Sequence, residues 1–511
     1  MRTKKFILNT VFELIPYILI ALFGMIKFNV IIKYLGDDLN GYYQTINNVL
    51  SYFFVYQTGI IGATTYKLYK PFVEEDNEKI WSICKSSRKL FIKIAKIISL
   101  LLIIAAVFLF FSNIEETNKL DVIGGFLLIG FSYTITYFFY GSIVGALFTA
   151  NLSKYKYSVI FNGLRLLGDI FIVCIILKGQ GSLISIGLIV LGIKIIEEII
   201  LYNYGKKYFK DIFNTITEKE EKGISKITKD LVFGNIASLV NVSTDNLLLA
   251  IFVSQTMVSI YSAYYFIVRF LLEITNKGSI FLGDAFGNIF VSRDKNRALN
   301  IFNEYLYGMV FIGFSIALTF SLIIRGFIPA WVDSNISYIV NDFTIYMYSL
   351  YIFLSIIYLP LLSVIKAKGL FKEQKIIYVK SAVINLILSI ILVKFVNINW
   401  AISSLLFATN ISIVWTIYKR LKLIDKFVFP ELKINKIIIF YIINIILFSL
   451  IILFTNPIAK FIMINVTGLF SLILIATISF VIISLISLGL LLIINPKVKE
   501  TLYRIKHLKR G

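Results

Sequence analysis

Fourteen long apolar stretches follow one another along the chain, and each has about the 20 residues that a helix needs to cross a bilayer. Of the 511 residues, 58% are apolar and only 16% are charged, and the mean hydropathy is +0.84. A soluble domain of this size needs more charge on its surface. The sequence therefore predicts an all-α polytopic membrane protein. The predicted spans are approximately 6–34, 42–66, 91–112, 123–149, 158–178, 182–204, 230–253, 260–288, 303–326, 337–366, 376–396, 400–419, 437–455 and 465–494.

The loops between these spans alternate in charge. Most of the 51 Lys and Arg residues lie in or beside one set of loops, such as SRDKNRA and KAKGLFKEQK, whereas YLGDDLN and IPAWVDSN have few. The positive-inside rule places the basic set, and with it both chain termini, in the cytoplasm. The same rule accounts for the net charge of +22, so nucleic acid is not needed as a partner. The apolar run after MRTKK is too long for a cleavable signal peptide and reads as a first anchor.

The first six spans and the next six share a register. Adding 218 to a residue number carries the first span onto the seventh and the sixth onto the twelfth, with Tyr43 on Tyr261 and Lys154 on Lys372. Each repeat has an even number of spans, so both have the same orientation, as in transporters built from parallel repeats. Coincidence among evenly spaced helices is the alternative. The predicted organisation is an N-lobe at 1–204, a cytoplasmic linker at 205–229, a C-lobe at 230–422, and two further spans with a basic cytoplasmic tail at 423–511.

Several kinds of chemistry have no support in the sequence. Cys84, predicted in a basic loop, and Cys174, in an apolar run, form neither a disulfide framework nor a CxxC metal site. The single histidine, His507, lies in the tail, so a histidine metal cluster or triad is not expected. Walker motifs and a soluble catalytic module are also missing. We expect a protein that is not an enzyme and that holds no metal or resident cofactor.

The predicted eighth span carries a charged stripe. Arg269, Glu273 and Lys277 are spaced at i, i+4 and i+8, and Asp284 falls on the same helix face. A charged face within a membrane span indicates a functional site, because lipid cannot solvate it. An internal salt-bridge ladder is the simpler interpretation. However, two cations beside one acid leave a positive surplus, and the planar arginine fork suits phosphate oxygens. We therefore predict a cationic cavity that binds substrate through Arg269 and Lys277, with Glu273 and Asp284 as charge partners.

Other ionisable residues lie within the predicted spans. Lys27 has no acid within one helical turn, which makes it a third candidate for the cationic cavity, whereas Arg165 and Asp169 are spaced as a local pair. Asp245 lies among Asn, Ser and Thr residues in NVSTDNLLLA, a set of oxygen ligands suited to coupling by Na⁺ or H⁺. Alternatively, Asp245 pairs with Arg269 or lies in water at the outer boundary. Lys194, Glu197 and Glu198 complete the set.

Three segments carry a resemblance to a known family. They are YLGDDLNGYYQTINNVLSYFFVYQTGI in the first half, STDNLLLAIFVSQTMVSIYSAYYFIV at the start of the second, and the loop IKAKGLFKEQK. With fourteen spans, the chain resembles Wzx-type oligosaccharide flippases of the polysaccharide transporter family. These belong to the multidrug/oligosaccharidyl-lipid/polysaccharide exporter (MOP) superfamily. Where many relatives have an acidic residue before Gly-Ile, followed by an arginine, this chain has Gln57 and Lys67.

The resemblance implies a function in the bacterial cytoplasmic membrane. A two-lobed flippase would move undecaprenyl-diphosphate-linked oligosaccharide units from the inner to the outer leaflet by alternating access, for surface polysaccharide biosynthesis. Its partners would be the lipid-linked substrate, membrane lipids, and the polysaccharide polymerase and glycosyltransferases of the same process. One alternative is an ion-coupled multidrug or metabolite antiporter of the same superfamily. Another is a membrane polysaccharide polymerase or ligase, although such enzymes usually present a large outer loop, and the predicted outer loops here are short.

Overall fold

The computed structural model describes residues 2–111, 116–217, 219–291, 295–429, 434–466 and 468–494, although some side chains within these ranges are not described. Seventeen α-helices and one short 3-10 turn, Ile398–Trp400, account for nearly all of these residues. The helices are α1 Arg2–Leu35, α2 Asp37–Glu74, α3 Asn77–Phe110, α4 Glu116–Phe138, α5 Gly141–Ala150, α6 Lys154–Leu177, α7 Leu183–Tyr208, α8 Lys210–Phe213, α9 Ile224–Phe252, α10 Gln255–Val291, α11 Lys295–Trp331, α12 Asp342–Ile357, α13 Leu359–Ala367, α14 Phe371–Phe395, α15 Ala401–Phe427, α16 Ile434–Asn465 and α17 Leu469–Ile494.

The helices confirm the predicted fold class. Within the described ranges, eleven helical segments are long and apolar enough to cross a membrane. Helices α2, α7 and α9 cover the other three predicted spans. Helix α7 is more polar than a simple span because it carries Lys194, Glu197 and Glu198 near its middle. The chain is a multi-pass, all-α membrane protein.

The predicted boundaries need two kinds of correction. The third span begins earlier than expected, because α3 extends from Asn77 through the region assigned to a basic loop. Cys84 is therefore a buried helical residue and not a loop residue. The fourth and tenth spans, each predicted as a single helix, are each broken into two: α4 and α5, and α12 and α13. Pro360 explains the second break, because proline lacks the N–H that a continuous helix uses.

The helix boundaries repeat at the predicted offset of 218 residues. Helix α2 spans Asp37–Glu74 and α10 spans Gln255–Val291, which agree within one residue at each end after the offset is applied. The short half-helices also match, because α5 begins at Gly141 and α13 begins at Leu359. Even the breaks in spans four and ten therefore coincide, so the repeat extends to the local backbone.

Contacts divide the chain into two compact units, one comprising residues 1–250 with 254–259, and the other comprising 251–253 with the chain from 260 onward. Helix α9 up to Ala250 thus belongs to the first unit. For example, the Tyr52 hydroxyl of α2 lies 3.0 Å from the Thr244 hydroxyl of α9. The functional lobe boundaries at residues 204, 230 and 422 remain a prediction.

In the first unit, small residues allow close packing of α4 against α7. A Cβ atom on Gly125 would lie 2.7 Å from the Leu183 Cβ, and one on Gly187 would lie 2.7 Å from the Leu128 Cβ. Such close approach through glycine is typical of helix pairs in membranes. The Asp121 carboxylate of α4 also accepts hydrogen bonds from the first backbone N–H groups of α7, at 2.8 and 2.9 Å. The angle and register of α7, which carries three ionisable residues, are thereby set.

In the second unit, α16 and α17 pack against α11. Phe448 of α16 stacks on Phe353 of α12 with ring centroids 4.5 Å apart, and Phe314 of α11 meets both rings edge-on. The outward side of these last two spans is apolar and exposed, as Phe454 and Phe470 illustrate. A lipid-facing role fits this composition, because lipid takes the place of a protein partner.

The predicted linker contains the short helix α8 and an extended segment held against the first unit. The Lys67 ammonium of α2 bonds the Glu221 carboxylate at 2.8 Å, and Lys79 of α3 lies 3.6 Å from the same carboxylate. Lys219 pairs with Glu78 at 3.0 Å. The linker therefore runs along the ends of α2 and α3, held by charge.

Candidate functional site

Helix α10 carries the predicted charged stripe. It is continuous through Arg269, Glu273 and Lys277, so their spacing places the three residues on one face. The Arg269 side chain is exposed, and Glu273 and Lys277 are half-buried. In the described part of the chain, no ion pair joins Arg269 to Glu273. The salt-bridge ladder and the substrate site both stay predictions. The side chain of Asp284 lies outside the described residues.

A second group of polar residues, which the sequence did not single out, lies near the break between α12 and α13. Arg420 of α15 is only 1% exposed, and its guanidinium carbon lies 4.7 Å from the ring centre of Tyr358 and 5.2 Å from that of Tyr378. The Gln374 amide oxygen accepts a hydrogen bond from Arg420 Nε at 3.3 Å. Two aromatic faces and one amide thus hold a buried arginine, an arrangement that stabilises a cation away from water.

Tyr358 connects Arg420 to the stripe on α10. It occupies the junction between α12 and α13, and Glu273 is within electrostatic reach of its hydroxyl. Among the described residues, Arg420 Nη1 has no hydrogen-bond partner. The described side chains of the α10 stripe and of the Tyr358 junction therefore combine Arg269, Lys277 and Arg420 with the acid Glu273. Its chemistry favours an anion.

Arg420 was missed because its position near the end of a span is also where positive-inside lysines and arginines are found. Its neighbours Lys419 and Lys422 reinforce that interpretation. The signal that distinguishes it is the offset of 218, which places Tyr358 on Tyr140 and Arg420 on Tyr202. In the first unit, the rings of Tyr140 and Tyr202 lie 5.7 Å apart. The repeat thus identifies matched aromatic junctions at the two broken spans, and an arginine replaces an aromatic residue in the second.

Lys27, the third predicted cavity cation, has a partner on another helix. Its ammonium lies 2.6 Å from a carboxylate oxygen of Asp169 on α6, and both side chains are largely buried. The sequence suggested Arg165 as the partner of Asp169, but Asp169 is bonded across helices to Lys27. An ion pair of this kind reduces the net charge that Lys27 can offer a ligand. Its assignment to a substrate cavity stays a prediction.

Further acids lie in the first unit. Glu197 of α7 forms an ion pair of 2.5 Å with Lys194, and Glu198 accepts a hydrogen bond of 2.8 Å from the backbone N–H of Gly141. Asp245 on α9 is 3% exposed, so it does not lie in water. A role for Asp245 in ion coupling remains a prediction. Within the described ranges, no group of three metal-ligating side chains comes together.

Comparison with known proteins gives structural matches alone. No protein-family model matches the sequence, and no curated protein matches it significantly. The solved structure of the lipid II flippase MurJ, in an inward closed conformation, is similar to 94% of this chain and 98% of its own, with a TM-score of 0.64 and 16% identity. An inward-facing multidrug resistance MATE family transporter of the MOP superfamily matches over 81% of this chain and 98% of its own, with a TM-score of 0.63 and 10% identity.

A MATE transporter in a bent conformation gives a third match. It covers 90% of this chain and 97% of its own, with a TM-score of 0.57 and 9% identity. The matched proteins are transporters and a flippase, and each is matched over nearly its whole length. At these identities, the likeness concerns the backbone. The chain thus shares its fold with MATE family transporters and with the lipid II flippase MurJ.

Proposed function

We propose that this protein is a flippase for lipid-linked oligosaccharides. It would move undecaprenyl-diphosphate-linked units from the inner to the outer leaflet of a bacterial cytoplasmic membrane, by alternating access and with both termini in the cytoplasm, for the biosynthesis of a surface polysaccharide such as capsule or O-antigen. The observation that carries the proposal is the cation surplus among the described side chains of the α10 stripe and the Tyr358 junction, where Arg269, Lys277 and Arg420 accompany Glu273.

The cargo accounts for this surplus. A sugar diphosphate cannot cross the hydrocarbon layer unaided, because the loss of water around its charges costs far more than thermal energy provides. Arginine replaces that water with charge and with two parallel hydrogen bonds to phosphate oxygens. The polyprenyl tail needs no such help and can remain in lipid. The likeness to a lipid II flippase supports a lipid-linked substrate of this chemical class.

A second candidate is an ion-coupled multidrug or metabolite antiporter. The likeness to MATE family transporters favours it, and buried Asp245 would then couple transport to Na⁺ or H⁺. A cationic drug requires an acidic cavity, however, and the charged groups described on α10 and α15 are mostly positive. For this reason we rank the flippase first. A polymerase or ligase has less support, since the matched structures are transporters.

Reconstitution distinguishes the two candidates. The full-length protein is placed in liposomes that contain a polyprenyl diphosphate carrying a fluorescent oligosaccharide, and a membrane-impermeant quencher reports the leaflet of the sugar. We expect protein-dependent movement of the sugar between leaflets. Matched liposomes, loaded with a cationic dye under a Na⁺ or H⁺ gradient, test whether the protein is instead an ion-coupled antiporter. Transport of the dye without movement of the lipid would favour the antiporter and reject the flippase.

A further inference from the structure

The break in the fourth span leaves backbone groups within the membrane that need partners. Helix α4 ends at Phe138 and α5 begins at Gly141. The first N–H groups of a helix have no partner within it, and hydrocarbon offers none. Side chains from neighbouring helices must therefore reach into the break. Two do so, from α2 and from α7.

Glu198 of α7 reaches the break from one side. Its side-chain Oε2 accepts a hydrogen bond of 2.8 Å from the Gly141 N–H, and the residue is only 1% exposed. A Cβ atom on residue 141 would lie 2.3 Å from Oε2, so glycine is needed for the carboxylate to approach. An ionised carboxylate here meets both an unpaired N–H donor and the positive end of the α5 dipole.

Gln57 of α2 reaches the break from the other side. Its Nε2 donates a hydrogen bond of 2.6 Å to the Ser142 hydroxyl of α5, and its Oε1 accepts one of 3.2 Å from the Thr136 hydroxyl of α4. The amide thus joins the two half-helices directly. Because an amide does not titrate, the contact made by Gln57 does not change with pH, whereas the contact made by Glu198 can.

The charged groups around Glu198 leave it without an ion pair of its own among the described residues. On α7, Lys194 is bonded to the adjacent acid Glu197, and the charges of both also act on Glu198. From α6, Arg165 acts on Glu197, and the Tyr157 hydroxyl lies within electrostatic reach of both acids. On α3, the Arg88 guanidinium stacks on the Tyr140 ring at the break itself. Glu198 is thus a buried carboxyl group whose contact with the break is a single backbone N–H.

The matched break in the second unit has no carboxyl group at the position of Glu198, although Glu273 of α10 lies within electrostatic reach of Tyr358 there. The offset of 218 places Thr416 on Glu198 and Leu359 on Gly141. There, Pro360 interrupts the helix, and the Tyr441 hydroxyl of α16 donates a hydrogen bond of 2.9 Å to the Ile357 carbonyl oxygen. Neither element changes charge at ordinary pH. The acid is therefore not a requirement of the fold, because the repeat forms the same break without one.

We infer that Glu198 is a proton-binding site that controls the break in the fourth span. When Glu198 is ionised, it holds the first turn of α5 against α7. When Glu198 takes up a proton, the charge that favours the α5 N-terminus disappears and the hydrogen bond weakens. Helix α5 then separates from α7 more readily, while Gln57 keeps it joined to α4. The fourth span thus responds to protons through Glu198, and the tenth span has no acid at the matched position.

Trp81 provides a reporter for this switch. Its ring stacks on Tyr140 at the break, with centroids 6.1 Å apart and an angle of 11°. The other three tryptophans, Trp331, Trp400 and Trp415, are replaced by Phe in the full-length protein, which is then reconstituted in lipid nanodiscs. We expect Trp81 fluorescence to follow a single sigmoidal transition with pH. Glu198→Gln, which keeps an acceptor but cannot ionise, should remove that transition, and the matched control Glu197→Gln should retain it.

Amide hydrogen exchange of residues 141–150 gives a second readout that does not depend on fluorescence. After correction for the intrinsic effect of pH, exchange in the parent should accelerate about tenfold as Glu198 is protonated, and Glu198→Gln should remove this dependence. Gly141→Ala keeps the acid but displaces it, so exchange should be fast at every pH. The same pH dependence in Glu198→Gln and in the parent, or no pH dependence in the parent by both readouts, would overturn the inference.

Discussion

The proposed function assigns Arg269 to binding the diphosphate of the lipid-linked substrate. Arg269→Ala should reduce export of the lipid-linked sugar by about ten- to a hundredfold, because one charge-assisted contact to phosphate contributes about 1.5–3 kcal/mol. Arg269→Lys should restore part of it, since lysine keeps the charge but loses the two-pronged geometry. Surface polysaccharide per cell, compared at equal amounts of membrane-inserted protein, is the measurement.

The control for Arg269→Ala removes an exposed cation from a helix outside the proposed substrate site. Lys93→Ala on α3 removes the same charge from a surface position and should leave export unchanged. Normal polysaccharide in Arg269→Ala would remove Arg269 from the substrate site. Equal loss in both variants would indicate a general effect of charge on insertion or orientation.

Lys27 raises a different question, because its pairing with Asp169 competes with its predicted role as a ligand. Lys27→Met should destabilise the protein by about 3 kcal/mol, since it leaves the Asp169 carboxylate buried without its partner. The double variant Lys27→Met, Asp169→Leu should recover most of that loss. Thermal unfolding of the purified variants in one detergent measures both changes, and a transport assay on the double variant then separates the two roles. A stable double variant that exports normally would assign Lys27 to structure alone.

Prediction from sequence succeeds and fails at identifiable residues. The stripe on α10 was visible because its spacing follows the helical period, and α10 is indeed continuous there. The pairing of Lys27 with Asp169 was not visible, because these residues are 142 positions apart and only packing joins α1 to α6. Arg420 was hidden for another reason. A buried cation near the end of a span has the same local sequence as a cation exposed to the cytoplasm.

At the scale of elements, the two broken spans also show where prediction from sequence succeeds and where it fails. Pro360 marks the break between α12 and α13 in the sequence itself, yet the break between α4 and α5 has no proline, and Glu198 and Gln57 from other helices form hydrogen bonds there. In the sequence, Gln57 is a departure from the flippases that the chain resembles. In the structure it joins the two halves of the fourth span. The contacts at that break join residues far apart in the sequence, so the local sequence does not reveal them.

The linker is an element whose attachment should depend on pH. Burial by itself raises the pKa of Glu221, but the hydrogen bond and charge of Lys67, assisted by Lys79, outweigh it and hold the pKa below its usual value. A lowered pKa means that ionised Glu221 stabilises the attached state. This stabilisation is fully present above the ordinary carboxyl pKa and is lost as pH falls through the lowered one.

Proteolysis of the folded protein measures that attachment. A protease that is active in acid should cleave the segment 214–223 faster as pH falls. Lys67→Gln should cleave faster than the parent at neutral pH and show a smaller change with pH, because the main partner of Glu221 is gone. The exposed pair Lys70 and Glu74 offers a matched control, since Lys70→Gln should behave like the parent. Cleavage that is independent of both pH and Lys67 would show that charge does not hold the linker.

For the whole molecule, hydropathy and loop charge were sufficient to predict the all-α, multi-pass architecture. Fourteen predicted spans all fall on helices. The offset of 218 found in sparse sequence matches carries α1–α7 onto α9–α15, and the bounds agree within four residues except at the start of α12. Substrate identity is a different matter. Sugar recognition by scattered Asn, Gln, Tyr and Ser side chains follows no pattern in the chain, and the structures that share its fold include a multidrug resistance transporter and a lipid II flippase.

The central claim is that a lipid-linked oligosaccharide is the cargo, and deletion of the gene tests it most directly. Lipids from the deletion strain and its parent would be compared by mass spectrometry, with leaflet location determined by an impermeant sugar-modifying reagent on intact cells. We predict that a polyprenyl-diphosphate oligosaccharide accumulates in the inner leaflet and returns to its normal level when the gene is restored. Unchanged lipid-linked oligosaccharides, with a new sensitivity to cationic drugs, would contradict the flippase and support the antiporter.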